Sequence, residues 1–216
     1  MPDSSATAGR QPDHSPTRSE ERVDRRRLRS ARTRQAIIEA YLALLRESQK
    51  IPTSTRIAER AGCSVRSIFE RFIDLHALRV AATDFTFVQA AAQVLAVEPK
   101  GDCKTRIALH VESRARVCDY WLPLWRALIA NQGDSLELKT RIELVREAIL
   151  KRIEMVYQPE LATLPERERR HVLIAIDSLI DFESWAKMRE EHGLSFDDAC
   201  AVWRYAIGRL LPTPVS

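Results

Sequence analysis

The 216-residue sequence lacks the residue patterns on which most enzymatic chemistry depends. Its four cysteines are scattered without a C-x-x-C pair, and its five histidines are equally dispersed. A zinc site or a disulfide framework is not expected, because the close ligand pairs typical of metal sites are missing. The cysteines are expected to be reduced, small buried hydrophobes. Since no Gly-rich phosphate loop, nucleophile elbow or H-E-x-x-H motif is present, we expect no enzyme, cofactor or metal.

Long hydrophobic runs are also missing. No apolar stretch approaches the roughly 18–20 residues that span a membrane. The N-terminal segment MPDSSATAGRQPDHSPTRSEE has no apolar stretch typical of a secretion signal, and its Ser, Pro, Asp and Arg content predicts a disordered Arg-rich tail over residues 1–29. A cytoplasmic protein without membrane contact is therefore expected.

Positive charge is concentrated at the N-terminal end of the chain. The net charge of +4 divides into +6 over residues 1–72 and −2 over residues 73–216. Arginines stand at positions 22, 25, 26, 27, 29, 32 and 34, and within that window only Asp24 opposes them. Such a block attracts polyanions, although a solvated arm explains the block equally well when it is considered alone.

Hydrophobic periodicity predicts helices along the whole chain, with no convincing strand alternation and no internal repeat. The first helix is expected to begin at an N-cap on Ser30, with a buried stripe of Ile37, Ile38, Tyr41, Leu42 and Leu45. Longer helices are expected over 75–97 after Asp74, over 103–118, 121–131 and 135–157, after Pro165, and after an N-cap at Ser195. In the last of these, the residues expected to be buried are Ala199, Val202, Trp203, Tyr205, Ala206 and Leu210. The predicted fold class is all-α.

Residues 53–72 contain two short helical segments with a glycine between them. Thr53 is expected to cap STRIAERA, Gly62 to end it, and Ser64 to cap VRSIFERF. Two short helices joined by such a turn are typical of a helix-turn-helix, and an ordinary helical hairpin is the other interpretation. In a helix-turn-helix, the residues expected to pack inward are Ile68, Phe69 and Phe72, and those expected to face outward are Val65, Arg66, Ser67, Glu70 and Arg71.

As a whole, RTRQAIIEAYLALLRES…TSTRIAERAGCSVRSIFERFIDLHAL resembles the N-terminal domain of the TetR family of bacterial transcriptional repressors. That family's pattern is a helix beginning T-R-x-x-I, then T-x-x-x-I-A-x-x-A-G-V-S, two variable residues, T-L-Y-x-H-F and x-x-K. The matching residues are Thr33, Arg34, Ile37 or Ile38, Thr53, Ile57, Ala58, Ala61, Gly62, Ser64, Ile68 and Phe72. The resemblance implies a three-helix helix-turn-helix DNA-binding domain over residues 30–80 and a larger helical effector-binding and dimerisation domain over residues 81–216.

The resemblance also implies a mechanism. Homodimers paired through the last two long helices place two recognition helices about 34–36 Å apart, or a multiple of that, on a near-palindromic double-stranded operator. A small-molecule effector in the larger domain moves the fourth helix and releases the DNA, so the implied function is repression lifted by ligand. One alternative is an activator or a regulator that responds to a protein. Another is a helical binding module whose arginine-rich arm meets RNA or an acidic partner. The effector, the operator and the target genes stay open.

Four positions depart from the family pattern. Phe69 stands for the usual Tyr, Arg71 for His and Leu75 for Lys, and Ser54 replaces a frequent apolar residue. Losing two phosphate contacts lowers the expected affinity, and the salt slope falls by about one unit for each lost charge neutralisation. Our hypothesis is that the arginines of residues 22–34 partly replace these contacts along a phosphate strand or in the minor groove.

Individual DNA contacts are expected from both short helices. Arg66 is expected to contact guanine through two hydrogen bonds, or a phosphate in the alternative, and Val65 to meet a thymine methyl. Ser67 is expected to contact a base or a phosphate, and Thr53 and Thr55 to bind phosphate. The full predicted set of DNA-binding residues is Arg32, Thr53, Ser54, Thr55, Ser64, Val65, Arg66, Ser67, Phe69 and Arg71.

The predicted larger domain gives few signals about its ligand. The candidates to line an effector pocket are Phe85, Phe87, Tyr120, Trp121, Trp125, Met155 and Trp185, with His110, Arg114 and Cys118 as polar additions. Core packing is the simpler explanation for any one of them. No ligand-binding, catalytic, cofactor-binding or metal-binding residue is therefore assigned.

Overall fold

The computed structural model describes residues 18–48, 50–96, 98, 100–133 and 135–212, with side chains from residue 27 onward. Every regular element in these ranges is helical, which confirms the predicted all-α class. The helices are α1 (Arg18–Ser48), α2 (Ser54–Ala61), α3 (Val65–Phe69), α4 (Leu75–Leu95), α5 (Cys103–Asn131), α6 (Leu136–Val156), α7 (Gln158–Leu161), α8 (Glu166–Leu179), α9 (Phe182–Ala186) and α10 (Phe196–Leu210). One π-helical turn, Lys187–Glu191, continues α9. None of the described helices is long and apolar enough to cross a bilayer.

Helices α1, α2 and α3 pack around one apolar cluster. All five residues of the predicted stripe on α1 are buried. Ile57 and Ala58 from α2 and Ile68 from α3 are buried in the same core. Helices of eight and five residues are too short to be stable alone. Burial of each large aliphatic side chain contributes roughly 1.5–3 kcal/mol, and this burial holds α2 and α3 in place.

A three-residue turn joins α2 to α3. Gly62 has a left-handed backbone with φ of 64°, a conformation that side-chain-bearing residues rarely adopt. The Gly62 N–H donates to the carbonyl of Glu59, and the Cys63 N–H donates to the carbonyl of Ala58. These two bonds form a Schellman motif, which satisfies the last carbonyls of α2. The predicted glycine stop is therefore confirmed.

Four predicted N-caps are confirmed. Thr53, Ser64, Asp74 and Ser195 precede α2, α3, α4 and α10. In each case the side-chain oxygen accepts a hydrogen bond from the backbone N–H three residues further on. Such a cap stabilises a helix by about 0.5–2 kcal/mol, so these boundaries follow from local chemistry alone.

The start of α1 differs from the prediction. The helix begins at Arg18, so Ser30 lies inside it and is not its N-cap. Residues 18–29 contain neither Pro nor Gly to stop a helix, and they are rich in Arg and Glu, which favour one. The predicted disordered tail is therefore wrong for residues 18–29, and residues 1–17 lie outside the described residues. Because α4 crosses residue 80, the proposed domain boundary there stays a prediction.

Helix α5 also differs, because it runs unbroken through Pro123 where two helices were predicted. An interior proline costs about 3 kcal/mol, since its N–H is missing and its ring clashes with the preceding turn. Trp121, Leu122, Leu124 and Trp125 surround Pro123 and are all buried. At roughly 1.5–3 kcal/mol for each of these four side chains, their packing outweighs the cost of the proline.

Helix α5 is the centre of the larger helical unit, and α10, α9, α4 and α6 contact it. Trp185 of α9 is fully buried, and its ring lies 5.0 Å from that of Trp203 on α10. The Trp185 Nε1–H donates to the Asp119 carboxylate on α5 at 3.1 Å. This cluster attaches the C-terminal helices to α5.

Predicted burial is wrong for part of α10. Val202 is 44% exposed and Tyr205 is 69% exposed, and Leu210 is also exposed. The buried side of α10 contains Ala199, Trp203 and Ile207. Helix α10 therefore presents apolar side chains on a second face as well.

The four cysteines are free thiols, with Cys118 and Cys200 buried and Cys63 and Cys103 half-buried. Burial raises the pKa of Cys118 and of Cys103 to about 11, so both thiols are protonated at neutral pH. Among the described residues, no group of His, Cys, Asp or Glu is arranged to hold a metal ion. The cysteines therefore pack as small side chains.

Candidate functional site

The outer face of α3 presents Arg66 to solvent. The Arg66 side chain is 88% exposed, whereas Ile68 on the opposite face is fully buried. Val65 and Ser67 are half-buried beside it. An exposed arginine in the first turn of a supported helix is suited to a DNA major groove about 12 Å wide.

An acidic side chain accompanies Arg66, which the sequence-based site did not include. The Arg66 Nε donates to Glu70 Oε1 at 3.0 Å, and Arg71 Nη1 lies 3.7 Å from Glu70 Oε2. Exposed pairs of this kind contribute at most about 1 kcal/mol, so a guanine or a phosphate can compete for Arg66. The i,i+4 spacing of Arg66 and Glu70 in the sequence is the signal that could have predicted this ion pair.

Two predicted contact residues on this segment lie differently from the expectation. Arg71 is only 19% exposed, because its Nη1 donates to the Ser67 carbonyl at 2.9 Å. A phosphate contact by Arg71 therefore requires its side chain to leave that carbonyl. Phe69 was expected to pack inward and is instead 47% exposed, since Ile68 and Phe72 fill the space beneath the segment.

The predicted phosphate-binding residues at the start of α2 lie at the surface. Thr53 and Thr55 are exposed and Ser54 is half-buried. The Thr53 hydroxyl already accepts from a first-turn N–H at 3.4 Å. Likewise, the exposed Ser64 hydroxyl caps α3 and lies 3.0 Å from the Ser67 hydroxyl. Each hydroxyl can also donate one hydrogen bond, which a phosphate oxygen would accept.

Helix α1 carries exposed arginines ahead of its buried stripe. The side chains of Arg27, Arg29, Arg32 and Arg34 are exposed, and the guanidinium of Arg34 lies over the ring of Phe72 at 4.9 Å. The side chains of the arginines at positions 22, 25 and 26 lie outside the described residues. That the arginines of residues 22–34 partly replace the missing phosphate contacts therefore stays a hypothesis.

As a test of the predicted DNA-binding face, replacing Glu70 with Gln is expected to tighten DNA binding about fivefold. The change frees Arg66 from an ion pair worth at most about 1 kcal/mol and removes a negative charge beside the phosphates. Fluorescence anisotropy with a labelled duplex at two salt concentrations measures this, with Glu143→Gln on the exposed face of α6 as the matched control. Unchanged or weaker binding by Glu70→Gln would contradict the assigned face.

A cavity of about 460 Å³ lies between α4, α5 and α6, and Phe182 of α9 contributes to its wall. Most of the wall is apolar and includes Phe87, Val94, Val117, Trp125, Leu128 and Ile149. The polar residues in the wall are Thr86, His110, Ser113, Arg114 and Arg152. Its volume lies in the range of about 300–1,000 Å³ that is typical of small-molecule sites.

The structure separates the candidate pocket residues into four groups. Those that line the cavity are Phe87, His110, Arg114, Trp121 and Trp125. Phe85 and Tyr120 line a separate groove beside α1, Met155 is exposed, and Trp185 and Cys118 belong to the core. Sequence reasoning missed Ser113, because a single helical serine carries no signal of its surroundings.

The polar part of the cavity wall is positively charged. Burial, and then the charges of Arg114 and Arg152, lower the pKa of His110 to about 3, so its imidazole is neutral at pH 7. The Nδ1 of His110 lies 2.9 Å from the hydroxyl of Tyr157. Burial raises the pKa of Tyr157, so its phenol is also neutral. Among the described lining residues there is no Asp or Glu, so the guanidinium groups are the only charged groups in the wall.

A helix-turn-helix in front of a larger helical unit with a central cavity is the fold of the TetR-family transcriptional regulators, as the resemblance implied. A structure from Rhodococcus sp., described as a TetR-family transcriptional regulator, superposes with a TM-score of 0.62 at 18% identity, over 84% of this chain and 100% of its own. A transcriptional regulator from Rhodococcus sp. Rha1 gives 0.68 at 14% identity, over 82% and 95%. The multidrug binding protein EbrR, complexed with imidazole, gives 0.54 at 19% identity, over 85% and 92%.

At these identities the similarities establish the fold. No family model and no curated protein matches the sequence significantly. The structures named above are described as two transcriptional regulators and a multidrug binding protein.

Proposed function

We propose that this chain is a dimeric DNA-binding transcriptional regulator that represses from a near-palindromic operator and is released by a small-molecule effector. The observation that carries the proposal is the solvent exposure of Arg66 on a short helix whose opposite face is buried through Ile68. A cytoplasmic location follows from the proposal, because the operator lies there.

Exposed apolar side chains on α8 and α10 support dimerisation. Ile174 on α8 is 50% exposed, and Val202 and Tyr205 are exposed on α10. Ala201 and Gly208, on the same exposed face of α10, are small enough to let a second helix approach closely. Pairing of α8 and α10 with the same helices of a second copy would bury these residues in a four-helix bundle.

Helix α4 connects the DNA-binding helices to the cavity. Leu78 and Ala82, in its first half, are buried in the core that α1 shares, and α4 contacts α1 directly. Thr86, Phe87 and Ala90, in its second half, line the cavity. A ligand that displaces the second half of α4 would therefore also change how α1 to α3 are held. The two recognition helices of a dimer would then lose the spacing that the operator requires.

A second connection passes through Trp121. Trp121 lines the cavity, and the guanidinium of Arg46 on α1 lies 5.3 Å from its ring centre and 4.3 Å from that of Tyr120. Cation–π contacts of this kind contribute about 0.5–1 kcal/mol at exposed sites and more when desolvated. The coupling is allosteric if ligand and operator favour different arrangements of these helices.

Footprinting and mobility shift with DNA from beside the gene test the proposal. We expect protection of a near-palindromic site. We also expect Arg66→Ala to weaken operator binding between about fivefold and about 150-fold, the equivalent of roughly 1–3 kcal/mol for a bidentate base contact. Affinity for unrelated duplexes should change far less, because phosphate contacts supply non-specific binding.

Arg116→Ala, an exposed arginine on α5, is the matched control and should leave both affinities unchanged. Weak binding that is indifferent to sequence and to Arg66 would contradict the regulator. It would favour the alternative of a binding module that uses its arginine-rich arm on RNA or an acidic partner.

A further inference from the structure

Four polar side chains on one face of α5 belong to the cavity wall. His110, Ser113, Arg114 and Trp121 are spaced by 3, 1 and 7 residues, which places them along the same helix face. Each of them carries an N–H or O–H group that is able to donate a hydrogen bond. All four are buried.

Arg114 provides a buried positive charge on this face. Its residue is 6% exposed, its Nε donates to the carbonyl of Ile180 at 3.0 Å, and its guanidinium lies 4.7 Å from the ring of Phe182. No carboxylate among the described residues lies within 4 Å of it. Asp177 is near enough only for longer-range attraction. A buried cation is expensive unless an anion pairs with it, so the site favours an anionic guest.

Two further polar atoms of cavity-lining residues lack hydrogen-bond partners in the part of the chain that the structure describes. The Ser113 hydroxyl oxygen and the Trp121 Nε1 are buried without a hydrogen-bond partner among the described residues. Leaving such a group unpaired costs about 1–3 kcal/mol, and native proteins rarely do so without a functional reason. Ser113 lines the cavity, so an acceptor oxygen bound there is the partner that its hydroxyl lacks.

We propose that the cavity binds an apolar acid, a small molecule with a hydrophobic body and one terminal oxyanion such as a carboxylate. The oxyanion pairs with Arg114 and accepts from Ser113, and the body lies against Phe87, Val117 and Trp125. A cationic ligand is disfavoured, because the described wall contains no carboxylate and does contain guanidinium groups. A neutral apolar ligand would leave the Arg114 charge and the Ser113 hydroxyl unsatisfied.

The proposal rests on the proposed regulatory function only in naming this molecule as the effector. Binding is measured without DNA, so its failure and the failure of operator recognition are separate results. The probes are 1-anilinonaphthalene-8-sulfonate and N-phenyl-1-naphthylamine, which share one aromatic skeleton and differ by the sulfonate. Fluorescence titration of the full chain gives a Kd for each probe.

Arg114→Gln is expected to weaken binding of the sulfonate probe between about tenfold and about a hundredfold, as the loss of a hydrogen bond to a charged group predicts. Binding of the neutral probe should change by less than about threefold, since apolar contacts are retained. Arg116→Gln, an exposed arginine on the same helix, is the control and should change neither. Arg114→Lys keeps the charge and should retain most of the preference for the anion.

Ser113→Ala provides a test that does not remove the buried charge. We expect it to weaken the sulfonate probe about threefold to tenfold, while the melting temperature of the free protein stays the same or rises because an unpaired hydroxyl is gone. Circular dichroism confirms the fold of each variant. Equal losses for both probes in Arg114→Gln, or unchanged sulfonate binding in both Arg114→Gln and Ser113→Ala, would overturn the proposal.

Discussion

A variant carrying Val202→Asp and Tyr205→Asp is expected to be monomeric and to bind the operator about 10² to 10⁴ times more weakly than the unmodified chain. Both side chains are exposed in the single subunit, so the folded monomer loses little packing. In the proposed four-helix bundle, each copy would bring two carboxylates into an apolar interface, where unpaired charges are costly. A monomer engages one half-site at a time and loses the avidity gained from linking two recognition helices.

Light scattering gives the oligomeric state, and anisotropy with an operator duplex gives the affinity. The control is Leu136→Asp, because Leu136 is at least as exposed as Val202 and Tyr205 but lies at the start of α6, where an acidic residue is tolerated. Leu136→Asp should leave the protein dimeric. If the variant with aspartate at 202 and 205 is still a dimer, the dimer interface lies elsewhere. If the unmodified chain is a monomer, operator binding by two spaced recognition helices is ruled out.

Helices α2 and α3 could be predicted from the sequence because their boundaries are set locally. Thr53, Gly62 and Ser64 act on backbone groups within three to five residues, so composition and spacing are sufficient to locate them. The inward stripe of α1 is equally local, since its period is that of the helix. The pairing of Arg66 with Glu70 is local in the same way, so their i,i+4 spacing in the sequence is sufficient to predict it.

The remaining features depend on contacts between distant segments. Pro123 normally marks a helix end, and only the packing around it shows that α5 continues. Tyr205 matches a core pattern as well as a surface pattern, because α10 has apolar residues on two faces. Ser113 and Arg114 line a cavity whose other walls are formed by α4 and α6. The spacing of residues along α5 cannot reveal that such a cavity lies beside the helix.

The second large effect is on stability and concerns a buried ion pair that fastens the start of α5 to α7. Arg106 pairs with Glu160, and its other nitrogens donate to the carbonyls of Val156 at 3.0 Å and Gly101 at 2.7 Å. The Arg106 and Glu160 side chains are 13% and 8% exposed. Glu160→Ala leaves the guanidinium buried without its counter-charge, so we expect a loss of about 3–5 kcal/mol.

Such a loss is a large part of a typical stability of about 5–15 kcal/mol, and it lowers the melting temperature by about 6–20 °C in a chain of this size. Calorimetry or thermal circular dichroism measures it. Glu154→Ala, at an exposed position of α6, is the control and should stay within about 0.5 kcal/mol. Replacing both partners with Met removes the stranded charge, although the carbonyls of Val156 and Gly101 then lose their Arg106 donors. We therefore expect the stability of the double variant to lie between that of Glu160→Ala and that of the unmodified chain. A double variant no more stable than Glu160→Ala would show that lost packing, rather than the unpaired guanidinium, causes the loss of stability.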